Sequence, residues 1–293
     1  MVWAGLMQLQ ITPTGSALGA EICDVDLGGN LSNRAIEQLR TAWLKHCVIY
    51  FRDQTIGDEE LVHFSRQIGD LELGPAGETP QADRALAPKL PEVWIISNVI
   101  ENGVPIGSLG SGEAEWHTDM SYVDRPPIAS VLHAREIPDV GADTSFANMY
   151  EALARLPPDL LERIKGRFAN HDSSYTSAGD LRVGATPIVD ITRAPGAHHP
   201  LILCHPESGR DALFLGRRTN GYILGLPVEE SEELLDLLWA ECTRDEIVYR
   251  HQWRVGDVLM WDNRCVIHRR DEFDPGSRRI MHRTQINARN LRD

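Results

Sequence analysis

Apolar residues recur at helical spacing in four parts of the chain and at strand-like intervals over much of the rest. In residues 31–47, LSNRAIEQLRTAWLKHC, the side chains of Ile36, Leu39 and Trp43 fall on one side of a helix, with Ser32 or Asn33 placed to cap it. The run VIYFR, residues 48–52, then reads as a strand. Helical period returns in residues 55–69 through Leu61, Phe64 and Ile68, with Thr55 and Asp58 at the spacing of a capping box. Residues 72–91 carry Gly, Pro and Ala without period and read as a loop.

From residue 93 onward short β-rich runs dominate. Among them are VWIISNV, ASVLHARE, DTSFAN, LILCHP, ALFLG, EIVYRHQW, DVLMWDN, CVIHRR and RRIMHRTQIN. Two helical stretches, YEALARLPPDLLERIKG and PVEESEELLDLLWAEC, interrupt them. Many short strands with few helices and no regular strand–helix alternation predict a mainly β fold with flanking helices, a sandwich or jelly roll rather than a doubly wound sheet. No repeat or linker breaks the chain, so one domain over residues 1–293 is expected.

Composition narrows the partners. A hydrophobic content of 42% suffices for a substantial core, and a net charge of −14 argues against nucleic acid or a membrane surface, both of which favour a basic face. Positive charge is nevertheless concentrated late in the chain, at Arg264, Arg269, Arg270, Arg278, Arg279, Arg283, Arg289 and Arg292. An anionic ligand would need such a cluster, provided the side chains point inward. The cysteines, Cys23, Cys47, Cys204, Cys242 and Cys265, are odd in number and show no C-x-x-C spacing, so a reducing cytosol is the expected compartment. No apolar run approaches the length of a membrane span, and a cytoplasmic, unexported protein is expected.

The candidate chemistry starts at EWHTDMSY, residues 115–122, where His117 and Asp119 stand two positions apart in a segment that reads as extended. Residues i and i+2 of a strand face the same side, roughly 6.5–7 Å apart, so both side chains can reach one ion. Such triplets also arise by chance, and His205-Pro206-Glu207 is one whose proline and following SGR read instead as a hairpin turn. A third ligand is best placed at His268, in a short strand after the WDN turn. Two imidazoles and a carboxylate leave open coordination positions, as in non-haem Fe(II) oxygenases, and zinc accepts the same set. In the last strand Arg279, Met281, Arg283 and Gln285 share one face, and Ile280, His282, Thr284 and Ile286 the other. The two arginines, roughly 13 Å apart along a strand, can enter one cavity at different depths.

These residues match a family. WHTD at 116–119, GADTSFANMYEAL at 141–153, WDNRCVIHRR at 261–270 and RRIMHR at 278–283 resemble the TauD/TfdA family, the taurine and 2,4-dichlorophenoxyacetate dioxygenases dependent on Fe(II) and 2-oxoglutarate. GAEICDVDL at 19–27 and VIYFRDQTI at 48–56 extend the likeness over nearly the whole chain. The resemblance implies a double-stranded β-helix, a cupin-like jelly roll. It implies that His117, Asp119 and His268 hold Fe(II), that Arg279 and Thr144 bind the distal carboxylate of 2-oxoglutarate, and that Arg283 meets an acidic group on the primary substrate. Met120 and Tyr122, just after the metal pair, are expected to line the substrate side or else to be core, and residues 171–182, HDSSYTSAGDLR, correspond either to a lid from which His171, Ser174 or Tyr175 would touch substrate or to a plain solvated loop.

The implied reaction takes a small anionic organic substrate and O2 and releases succinate and CO2. A carboxylate at Asp119, where halogenating relatives carry a small residue, implies hydroxylation or oxidative cleavage. Taurine-binding members carry a histidine well before WHTD and an asparagine four residues before its histidine. This chain has no histidine between Gly69 and Trp116, and Glu113 stands at the second position, which implies a different substrate. Relatives are commonly dimers or tetramers, so a homo-oligomer is expected. Two other classes share parts of the pattern. A non-redox cupin-like zinc or manganese enzyme would keep the ligands without needing Arg279, and a non-catalytic jelly-roll binding protein would bury His, Asp and Arg at a cost with no ligand to offset it.

Overall fold

A computed structural model of the protein describes residues 8–73, 90–112 and 114–287. Two antiparallel-rich sheets face one another. The larger has eight strands, in the order Gln10–Pro13, Ala20–Cys23, Val48–Phe51, Val258–Asp262, Ala129–Glu136, Ile280–Ile286, Trp94–Ser97 and Ser108–Leu109. The smaller has four, in the order Val248–His251, Thr144–Asn148, Val266–Arg270 and Ala114–His117. Neighbours within each sheet come from distant parts of the chain, as the expected jelly roll requires.

Side-chain alternation explains why the larger sheet is apolar on both faces. Val258, Met260, Ile49, Phe51, Val131 and Ile286 pack outward against Leu39 and Trp43 of the helix Asn33–His46 and against Leu61 and Phe64 of the helix Asp58–Ile68. Leu259, Trp261, Val48, Leu132 and Met281 point the other way and meet Phe146 and Tyr249 of the smaller sheet. Each large apolar side chain so buried contributes about 1.5–3 kcal/mol. Ser32 caps the first helix by accepting from the Ala35 N–H, as the sequence predicts. At the second the cap differs: Gly57 is the cap residue, and the Glu60 carboxylate accepts from its N–H at 2.9 Å, whereas the sequence pointed to Thr55 and Asp58. Asp58 is instead taken by the last strand, its Oδ1 lying 2.5 Å from His282 Nδ1.

Three further elements depart from expectation. The helix expected over residues 150–166 is two, Met149–Ala154 and Pro158–Ile164, because Pro157 and Pro158 cannot continue the first. Phe168–Asp172 and Gly196–Pro200, which no periodicity marked, pair as strands in a small sheet of their own. His171 therefore lies in a strand, buried, rather than in an open lid. Of the loop expected over residues 72–91, residues 74–89 lie outside the described residues. LILCHP and ALFLG do form the strands of a hairpin, Ile202–Cys204 against Asp211–Leu213. Among the described residues no helix is long and apolar enough to cross a membrane.

Candidate metal centre

The inner faces of the two sheets bring the candidate ligands together. The strand Ala114–His117 runs antiparallel to Val266–Arg270 with His117 directly opposite His268, their ring centroids 4.2 Å apart. The strand ends at His117, so Asp119 is not on its face as expected but in the turn that follows, where Met120 adopts φ 50°. That turn folds the carboxylate back: Asp119 Oδ1 lies 3.7 Å from His117 Nε2 and 3.9 Å from His268 Nε2. The three side chains form a group compact enough for one ion.

The protonation states suit a cation. His117 Nδ1 lies 2.6 Å from the Glu115 carbonyl, which can only accept, so Nδ1 carries a proton and Nε2 is the nitrogen that faces Asp119. Burial pushes His268 down to about 3, with His117 adding to the effect, so its imidazole is neutral and able to ligate. Phe146 and Trp261 flank that ring, at centroid distances of 6.0 and 4.7 Å. For Asp119, burial works to raise the carboxyl, but the charge of Arg283 beside it is the largest of the opposing effects that hold the group well below the usual carboxylate range. Arg283 Nη1 donates to Asp119 Oδ1 at 3.0 Å, and Ser130 Oγ donates to Oδ2 at 2.6 Å.

Two chambers adjoin this group, and His117 and Arg283 line both. The smaller, about 50 Å³, is lined by Thr144, His268, Arg270 and Arg279 among others. Arg279 is buried, and among the described residues no hydrogen bond or ion pair of its guanidinium is found. Burial, with the Arg270 charge second, pushes it down to about 9, and burial pushes Arg270 to about 10. A desolvated cation of this kind fits a site built for an anion. Thr144 Oγ1 accepts from Trp253 Nε1 at 2.9 Å, which orients the hydroxyl at the chamber wall.

The larger chamber, about 200 Å³, is lined by Met120, Tyr122, Trp94, His171, Tyr175 and Arg182 among others. Arg182 stacks over Tyr122 at 4.4 Å and Arg283 over Trp94 at 4.9 Å. Ser174 is buried outside the lining of this chamber, and Glu113 lies outside the described residues.

The decoy at His205 is accounted for. Its Nε2 meets Asp262 Oδ2 at 3.0 Å and its Nδ1 accepts from the N–H groups of Glu207 and Ser208, so both nitrogens are engaged. Of the late arginines, Arg264 pairs with Asp262 and Glu207, Arg269 with Asp271 and Arg278 with Glu101 and Glu136, leaving Arg270, Arg279 and Arg283 to face inward. Arg289 and Arg292 lie outside the described residues. Sequence reasoning missed Trp94, Ser130, Trp253 and Asn263 as site components. A serine inside the otherwise apolar run ASVLH was the one visible signal among them.

The metal expected at this site fits the residues present, since two imidazoles and a carboxylate converge beside an unpaired buried guanidinium. Known proteins agree. The family model described as "Taurine catabolism dioxygenase TauD, TfdA family" matches residues 10–285. The alpha-ketoglutarate-dependent 2,4-dichlorophenoxyacetate dioxygenase of Cupriavidus pinatubonensis is 32% identical, over 94% of this chain and 97% of that protein. The (S)-phenoxypropionate/alpha-ketoglutarate-dioxygenase of Delftia acidovorans is 31% identical, over 96% of each. The crystal structure of AAD-2 in complex with Mn(II) and N-oxalylglycine superposes with a TM-score of 0.77 at 26% identity, covering 96% of this chain and 98% of that one. With its two-histidine, one-carboxylate group between the sheets of a jelly roll, the chain belongs to the TauD, TfdA dioxygenase family.

Proposed function

We propose that His117, Asp119 and His268 hold Fe(II), that Arg279 and Thr144 receive the distal carboxylate of 2-oxoglutarate in the smaller chamber, and that Arg283 receives the acidic group of a small organic substrate in the larger one. The enzyme is a dioxygenase dependent on Fe(II) and 2-oxoglutarate. Fe(II) and 2-oxoglutarate, when bound, supply reduction of O2 coupled to decarboxylation, with succinate, CO2 and an oxygenated substrate as products.

The chain's own residues bind, orient and exclude water. Arg279 offers a planar fork to the smaller chamber, which suits a carboxylate held through two hydrogen bonds. Arg283 donates through Nη1 to Asp119, while its buried Nε has no hydrogen-bond partner among the described residues and is available to an incoming anion. Met120, Tyr122 and Trp94 supply apolar and aromatic surface beside it, suited to the body of an organic acid. The relatives named for 2,4-dichlorophenoxyacetate and (S)-phenoxypropionate act on acids of this kind, which supports an acidic substrate here.

The observation that carries the reading is the convergence of Asp119 Oδ1 on both imidazole Nε2 atoms within 4 Å. Anaerobic titration of the protein with Fe(II) and 2-oxoglutarate is expected to develop a weak visible charge-transfer band, absent in His268→Ala. A band of equal intensity in that variant would remove His268 from the site. Succinate release, screened over small carboxylates, sulfonates and sulfate esters, then identifies the substrate class.

A further inference from the structure

Behind Asp119 lies a polar chain that the ligand assignment does not use. Ser130 is fully buried in the strand Ala129–Glu136, with Gln285 opposite it on one neighbouring strand and Trp261 on the other. Its Oγ lies 2.6 Å from Asp119 Oδ2, 3.1 Å from Asn263 Nδ2 and 3.4 Å from Gln285 Nε2. Asn263 is itself anchored. Its side-chain nitrogen donates to the Pro127 carbonyl at 3.2 Å and its backbone N–H to the Ile128 carbonyl at 2.9 Å. The Pro127 carbonyl can only accept, so the amide nitrogen, not the oxygen, must face it and Ser130.

A hydroxyl has one proton and two acceptor positions. Here the two amides fill the acceptor positions, and the one proton is directed at Asp119 Oδ2. The two carboxylate oxygens thus have different tasks. Oδ2 is held by Ser130, and Oδ1 faces His117, His268 and Arg283.

We infer that Ser130 is a positioning residue that reserves Asp119 Oδ2 and presents Oδ1 alone to Fe(II), with Asn263 and Gln285 setting the direction of its proton. A carboxylate free to bind through both oxygens would occupy a coordination position that 2-oxoglutarate or O2 requires. The support rests on strand residues and one anchored turn, so it is in place before metal arrives. This inference depends on Asp119 being a ligand, as proposed above.

Two variants test it, by metal binding rather than turnover. Ser130→Ala removes the donor with little change of volume, and Gln285→Met removes one of the two amides that aim it. Ser130→Ala is expected to weaken Fe(II) binding roughly 10- to 100-fold, the usual loss when a hydrogen bond to a metal ligand is deleted, and Gln285→Met less. The Co(II)-loaded Ser130→Ala protein is also expected to show a shifted visible absorption, because Asp119 gains a second mode of binding. A serine that only supported the fold would lower the thermal midpoint of the metal-free protein and leave that spectrum unmoved. Wild-type Fe(II) affinity and an unshifted Co(II) spectrum in both variants would overturn the inference. Should Ser130→Ala fail to fold, Gln285→Met decides alone. Failure of the metal-centre reading is distinguishable, because Fe(II) affinity would then be insensitive to His268→Ala as well.

Discussion

Arg279 shows at the residue scale how a functional site is stabilised by what it binds rather than by what surrounds it. Its guanidinium is buried with no ion pair among the described residues, and burial, with Arg270 adding to it, brings it down to about 9. An unpaired buried cation destabilises the empty protein, and replacing such groups with apolar residues of similar volume commonly stabilises. Arg279→Met is therefore expected to raise the stability of the protein without co-substrate by about 1–4 kcal/mol, measured by urea unfolding. 2-Oxoglutarate is expected to raise the thermal midpoint of the parent and not of this variant. Unchanged stability together with an intact 2-oxoglutarate response would remove Arg279 from the carboxylate site. The pairing of Arg279 with Arg283 on one strand face was legible in RRIMHR, because strand period alone decides it. That Arg283 meets Asp119 was not, since 164 residues separate them.

At the scale of elements, the site depends on where strands stop. The strand carrying His117 ends there because the next N–H, that of Thr118, leaves the sheet and donates to the Gly216 carbonyl at 2.8 Å. Gly216 has φ +70°, and a Cβ added to it would lie 2.2 Å from His171 Nδ1. The His171 ring is stacked on Phe214 at 5.4 Å and edge-on to His199 at 4.9 Å. Gly216→Ala is expected to lose roughly 2 kcal/mol or more, from left-handed backbone strain and the clash together, and to weaken Fe(II) binding by freeing the Thr118 turn. Denaturant midpoints and an Fe(II) titration of the variant measure both, and a fully stable variant would show that the loop yields. Apolar period predicted the helices and the long central strands. It missed Phe168–Asp172 and Gly196–Pro200, whose polar, histidine-rich sequences pair in a sheet outside the main sandwich.

For the whole molecule, buried histidines set the response to acid. Burial, followed by the Arg135 charge, pushes His133 down to about 4, and burial, followed by His199 and His198, pushes His171 to about 3. The ordinary value is 6.5. Between these values the unfolded chain binds protons that the folded chain excludes, so stability falls as pH drops below about 6.5, by up to ~1.4 kcal/mol per pH unit per imidazole. Urea midpoints should decline from pH 6.5 to 5, and less steeply in His171→Phe; equal slopes would show that His171 takes up a proton without unfolding. The sequence by itself determined the mainly β class and marked His117, Asp119 and His268 as candidate ligands and Arg279 and Arg283 as a pair four positions apart, because side-chain period and ligand chemistry are local properties. Only the tertiary structure decided that Asp119 reaches the imidazoles from a turn, that Ser130 and Asn263 stand behind it, and that two chambers meet at His117 and Arg283. Those features arise where strands distant in the chain come into register, and no local pattern records that register.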